Sequence, residues 1–96
     1  MEDRLFIVTY DIADPRRWRR VFKTMEAYGE WLQLSVFQCR LSARRRVKLE
    51  IRLRDLVKHG EDHVLLIDLG PIDSRAVRVT SIGKSFAQVQ REVTVI

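Results

Sequence analysis

Between Leu5 and Ile12 nearly every position is apolar, with Phe6, Val8, Tyr10 and Ile12 on one face and Leu5, Ile7, Thr9 and Asp11 on the other. β-Branched and aromatic types dominate the run, which predicts a strand buried on both faces for most of its length. Asp14 then offers a carboxylate to the free amides of a helix start. Pro15 suits the first helical position, where the N–H it lacks would have no partner. Trp18, Val21, Phe22, Met25 and Tyr28 recur at helical spacing as a core-facing stripe, and Gly29 supplies a stop. Alternation resumes from Trp31 to Leu41, with Leu32, Leu34 and Val36 against Trp31, Gln33, Ser35, Phe37 and Cys39, as one bent strand or a tight pair.

Ser42 is a suitable cap for a second helix reaching about Lys58. Val47, Leu49, Ile51 and Leu53 alternate with period two, as in a strand, but the length, the face formed by Leu49, Leu53, Leu56 and Val57, and Gly60 beyond it favour a helix. His63 to Leu69 reads as another buried strand ended by Gly70-Pro71, Val77 to Ile82 as a short one, and Val93 to Ile96 as the last. Strand, helix, strand, helix, strand with short strands appended is the order of an α+β sandwich, helices on one face of a sheet, and a ferredoxin-like arrangement is its simplest form.

A chain of 96 residues, 46% of them hydrophobic, holds one modest core, so residues 1–96 are expected to form one domain whose marginal stability favours dimerisation. The single cysteine, Cys39, excludes an internal disulfide framework and points to a reducing, cytoplasmic setting. Acidic Glu2 and Asp3 are wrong for a secretory leader, and no apolar run approaches membrane-spanning length.

Charge changes the picture more. Residues 16–58 hold 13 Lys or Arg against four acids, while the rest of the chain holds five against nine, so a net +5 conceals a basic region with an acidic remainder. Such asymmetry suits a polyanionic partner, although two solvated helical faces would account for it equally well. Arg16, Arg17, Arg19 and Arg20 crowd the first turns of the first helix around Trp18, and guanidinium groups there can follow a phosphate backbone without reading bases. Arg44, Arg45, Arg46 and Lys48 form a second block at a helix start, an unfavourable place for positive charge unless an anion compensates.

Asp11 ends an apolar strand, where an unpaired charge belongs at an edge or interface. On spacing alone it reads as a hydrogen-bond acceptor for the following helix. Two copies meeting at a two-fold axis would instead supply two carboxylates for Mg²⁺ against a phosphodiester. His59 and His63 straddle Gly60, a poor metal pair, and neither Ser35 nor Cys39 has a base near it in sequence for covalent chemistry.

Tyr10-Asp11-Ile12, Val21-Phe22 followed by Tyr28-Gly29, and above all Leu32 to Cys39 (Leu-Gln-Leu-Ser-Val-Phe-Gln-Cys) resemble the Cas-two family, the small universal CRISPR-associated subunits. Glu61-Asp62-His63-Val64, Ile82-Gly83 and Val93 to Ile96 extend the likeness more loosely. The resemblance implies a ferredoxin-like βαββαβ sandwich with an appended C-terminal strand, forming a symmetric homodimer in which about 84–96 pack on the partner. It further implies a metal-dependent nuclease acting on RNA or double-stranded DNA, and a bridge between integrase dimers during spacer capture. In the first role Asp11 binds Mg²⁺ at the dimer interface, with Tyr10, Ser35 and Phe37 lining the site. In the second the two basic blocks grip a duplex and Asp11 is dispensable. Family members often carry acids soon after the first strand, but Pro15 and Arg16 stand here, which ranks bridging above catalysis. A small-molecule sensor on this fold would need a glycine-rich loop, and the four glycines do not cluster. A stand-alone, toxin-like ribonuclease of similar fold is the alternative.

Overall fold

Two short polar side chains decide where the helices begin. In the computed structural model, which describes residues 3–72 and 79–83, Asp14 Oδ2 accepts from the amide of Arg17 at 2.9 Å and Ser42 Oγ from that of Arg45 at 3.2 Å. Each cap satisfies an amide that has no partner within its helix. The element order is β1 (Arg4–Asp11), α1 (Pro15–Glu26), β2 (Glu30–Gln33), β3 (Val36–Leu41), α2 (Ala43–Leu56) and β4 (His63–Pro71). The stretch from Trp31 to Leu41 is thus a tight pair, turning at Leu34, whose φ of 42° is left-handed.

The sheet runs β2-β3-β1-β4, with β1 antiparallel to both β3 and β4. This is the α+β, ferredoxin-like βαββαβ arrangement. Phe6, Val8 and Tyr10 of β1 and Phe37, Cys39 and Leu41 of β3 face Val21 and Met25 of α1 and Leu49 and Leu53 of α2 in one buried core. Residue Cys39 is a core thiol, its pKa pushed up to about 11 by burial against the opposing pull of Arg45.

Both helices lie on one side of the sheet, and that corrects the expectation of strands buried on both faces. On the uncovered side Leu5, Ile7 and Thr9 are only half-buried. Leu65, Ile67 and Leu69 of β4 are 45%, 43% and 56% exposed. In α2 the period-two ambiguity resolves the same way: Leu49 and Leu53 are buried, while Val47 and Ile51 lie on the outer face. Val79 to Ile82 carry no strand and are exposed, contrary to the short strand expected there. Val77 and the segment Val93 to Ile96, expected as the last strand, lie outside the described residues.

Helix α1 also ends earlier than its apolar stripe suggested, at Glu26, and Gly29 has no positive φ. Its small size serves a close approach instead: a Cβ there would collide with Cys39 Sγ and the Gln38 carbonyl oxygen of β3. Gly29→Ala should therefore cost about 1–3 kcal/mol, the range for overpacking a rigid site, read from chemical denaturation. An unchanged midpoint would show that β3 yields.

Candidate functional site

The end of β1 sends successive residues to opposite faces. Tyr10 turns under the helices, stacking on Phe37 with ring centroids 6.4 Å apart and lying 6.2 Å from Trp18. Its hydroxyl is buried without a hydrogen-bond partner among the described residues. Burial first, and then the charge of Glu26, raise its pKa well above the ordinary value. Ser35 joins the same cluster: its Oγ accepts from Trp18 Nε1 at 2.8 Å, and its carbonyl accepts from the Tyr10 amide at 3.1 Å. Tyr10, Ser35 and Phe37 thus come together, but as the wall behind the strand end, with Phe37 fully buried.

Asp11 points to the other side and is exposed. Its ladder partner is His63 of β4, so the two side chains share the uncovered face. Asp11 makes no hydrogen bond or ion pair with the described residues, which corrects its reading as an acceptor for the helix start. Asp14 caps the helix, and the Ala13 amide donates to Asp62 Oδ1 at 3.0 Å. No three His, Cys, Asp or Glu converge as metal ligands among the described residues.

The arginines divide by whether a carboxylate holds them. Arg17, expected on a phosphate track, instead donates from Nε to Asp62 Oδ2 at 2.7 Å, from Nη2 to Asp62 Oδ1 at 3.1 Å, and to Glu61 at 3.3 Å. The Asp62 side chain is fully shielded from solvent, so this pair latches the start of α1 to the loop before β4. Arg46 is likewise paired with Glu50. Among the described residues Arg16, Arg19, Arg20, Arg44, Arg45 and Lys48 have no carboxylate partner. Arg45 lies over the Tyr28 ring at 5.1 Å and donates to the Ala27 carbonyl at 3.1 Å. Lys23 and Arg52 are unpaired as well and stand beside these groups. The spacing 20, 23 and 45, 48, 52 along two helices was the signal that would have found them.

A protein-family model described as CRISPR associated protein Cas2 matches residues 4–77. The chain is 51% identical, over 98% of its length and 99% of the relative's, to a protein of Geobacter sulfurreducens named CRISPR-associated endoribonuclease Cas2. It is 49% identical, over 98% of its length and 92% of the relative's, to one of Rhodospirillum rubrum named CRISPR-associated endoribonuclease Cas2 1. The crystal structure of a hypothetical protein from Thermus thermophilus matches with a TM-score of 0.71 at 35% identity, covering 86% of this chain and 96% of that one. A crystal structure titled cas2 gives 0.70 at 35% identity, covering 86% of this chain and 92% of that one. Fold, strand-end motif and near full-length similarity agree, and the chain belongs to the CRISPR associated protein Cas2 family.

Proposed function

We propose that this protein works as a homodimer in the adaptation stage of CRISPR defence, holding DNA or RNA by its phosphates as a bridge for the integrase, and that it carries a weaker Mg²⁺-dependent endonuclease activity at Asp11. The observation that carries the reading is the free Asp11 carboxylate at the end of an apolar sheet face that nothing in the described chain covers. The similar proteins named endoribonucleases support the cleavage component. Pairing through that face would bring two Asp11 side chains to one axis.

One Asp11 does not make a magnesium site, but this ion commonly takes one or two carboxylates and completes its shell with water and substrate phosphate, so a pair fits it. Bound there, the ion would polarise a phosphodiester and activate water. Asp11 would hold it, while Tyr10 and Phe37, packed behind, fix the strand end, and Ser35 anchors the β2–β3 turn beside them.

The test is cleavage of labelled RNA and duplex DNA by the wild type and Asp11→Ala, with Mg²⁺ or with chelator, alongside a binding titration. Cleavage should fall at least about a hundredfold in the variant and in chelator, with binding retained. Undiminished cleavage by Asp11→Ala would remove the site from this position, and binding with no cleavage at all would leave the bridging role alone.

A further inference from the structure

Across the helical side of the molecule, opposite the uncovered sheet face, α1 and α2 bound an open groove of about 750 Å³. Arg20 and Lys23 line it from α1, and Arg45, Lys48 and Arg52 from α2, with Tyr28 also in its wall. No carboxylate among the described residues lines it. The spacings are i, i+3 on one helix and i, i+3, i+7 on the other, so each set forms one ridge and the two ridges face each other. Elsewhere among the described residues Arg4 is paired with Asp68, Arg17 with Asp62 and Glu61, Arg46 and Arg54 with Glu50, and Lys58 with Glu61, while Arg16, Arg19, Arg40 and Arg44 have no carboxylate partner and do not line the groove. The five in the groove have no such partner. Two solvated helices would gain by turning like charges apart, and these turn them together. Residue Arg45 is also held in place, by the Tyr28 ring and the Ala27 carbonyl, before any anion arrives.

We infer that this groove is a binding site for a nucleic-acid sugar-phosphate backbone, distinct from the Asp11 end of the sheet, with Lys23 and Arg52 belonging to it alongside Arg20, Arg45 and Lys48. The inference rests on the nucleic-acid-binding role proposed above and assigns it a place. Seven residues of helix from Arg45 to Arg52 rise about 10 Å. Duplex phosphates recur about every 3.4 Å of axis along one strand, so the ridge spans roughly three of them. Contacts of this kind carry no base preference, because every side chain involved meets phosphate. A dimer joined through the sheet faces presents two such grooves, one on each outer side.

The experiment compares two triple variants with the same change in net charge. One, Lys23→Gln, Lys48→Gln and Arg52→Gln, empties the groove of three cations; the other, Arg4→Gln, Arg54→Gln and Lys58→Gln, removes three outside it. Both are titrated with duplex DNA and with single-stranded RNA between 50 and 300 mM salt, after melting curves confirm that each is folded. The groove triple should bind at least tenfold more weakly and lose about 2–3 from the slope of log K against log salt, at roughly 0.9 per duplex phosphate contact and 0.7 per single-strand contact. The control triple should lose less than about threefold. A charge-keeping variant with Lys23→Arg, Lys48→Arg and Arg52→Lys should bind as the wild type does. A loss confined to one nucleic acid would assign the groove to that one. Equal losses in the two triples, or an unchanged slope, would overturn the groove while leaving nucleic-acid binding intact. Wild-type protein that binds neither would overturn both proposals.

Discussion

Replacing Asp62 by alanine should lower the melting temperature by roughly 10 °C, a large shift for a domain of this size. Its carboxylate has no solvent exposure and accepts four hydrogen bonds, from the amides of Ala13 and Lys58 and from Nε and Nη2 of Arg17. These ties hold the β1–α1 corner, the first turn of α1 and the turn before β4 at one point. Removing the carboxylate leaves the Ala13 and Lys58 amides without their acceptor and the Arg17 guanidinium, 20% exposed, with only its contact to Glu61. An unsatisfied, partly buried partner is costlier than the loss of the bond itself.

The same group sets an acid limit. Hydrogen bonding to Arg17 is the chief reason that the Asp62 pKa lies far below its ordinary 3.8, with the Lys58 and Ala13 amides adding to it against desolvation. The unfolded chain therefore takes up this proton at a higher pH than the folded one. The stabilisation is complete above about pH 4 to 5, begins to decline as pH falls through 3.8, and is lost only as pH approaches the folded value. Glu61, Asp14 and Asp68 are lowered too and slope in the same direction. The gap between the melting temperatures of the wild type and Asp62→Asn, constant from pH 7 to about 5, should narrow steadily as pH falls from about 4 to 2.5. A gap that stays constant with pH would mean that the latch does not depend on the Asp62 charge.

Ile67→Lys should convert a dimer into a monomer. Ile67 lies directly opposite Ile7 in the β1–β4 ladder, at the middle of a face that also carries Leu5, Leu65, Leu69 and Val36. In the single chain Ile67 is 43% exposed, so a lysine there can keep its ammonium in water and the fold should survive. Pressed against a second copy the ammonium would be buried without a counter-ion, which neither an apolar partner face nor a like charge from the same substitution relieves. Association should weaken at least about a hundredfold, or about 2.7 kcal/mol, in sedimentation equilibrium with unchanged circular dichroism. Since the proposed magnesium site needs two Asp11 side chains, cleavage should fall with it. The same sedimentation profile for variant and wild type would show that this face is not the dimer contact.

How much of this was legible in the chain follows the range of the interactions. The starts of α1 and α2 were readable because Asp14 and Ser42 act on amides three residues away. Alternation along β1 and around Leu34 gave the strands for the same reason, and the motif from Leu32 to Cys39 gave the family. The end of α1 was misplaced because Tyr28 continues the apolar stripe past the last helical turn, packing beneath Arg45 from outside the helix. Apolar residues on both faces of β1 and β4 predicted burial on both, yet the pattern does not say what does the burying. Only the placement of both helices on one side left Ile7, Leu65 and Ile67 uncovered.

The basic runs show the division most sharply. Sequence determined that residues 16–58 would be rich in Arg and Lys, and it could not say which of those charges were free. Arg17 is adjacent to Arg16 in the chain but bonded to Asp62, 45 residues away, while Arg20 and Lys23 meet Arg45, Lys48 and Arg52 across a groove that exists only after α1 and α2 dock. Capping and alternation are settled within a few residues of backbone, so they can be read along the chain. Charge pairing depends on which distant segments the sheet brings together, and that was decided by the tertiary fold.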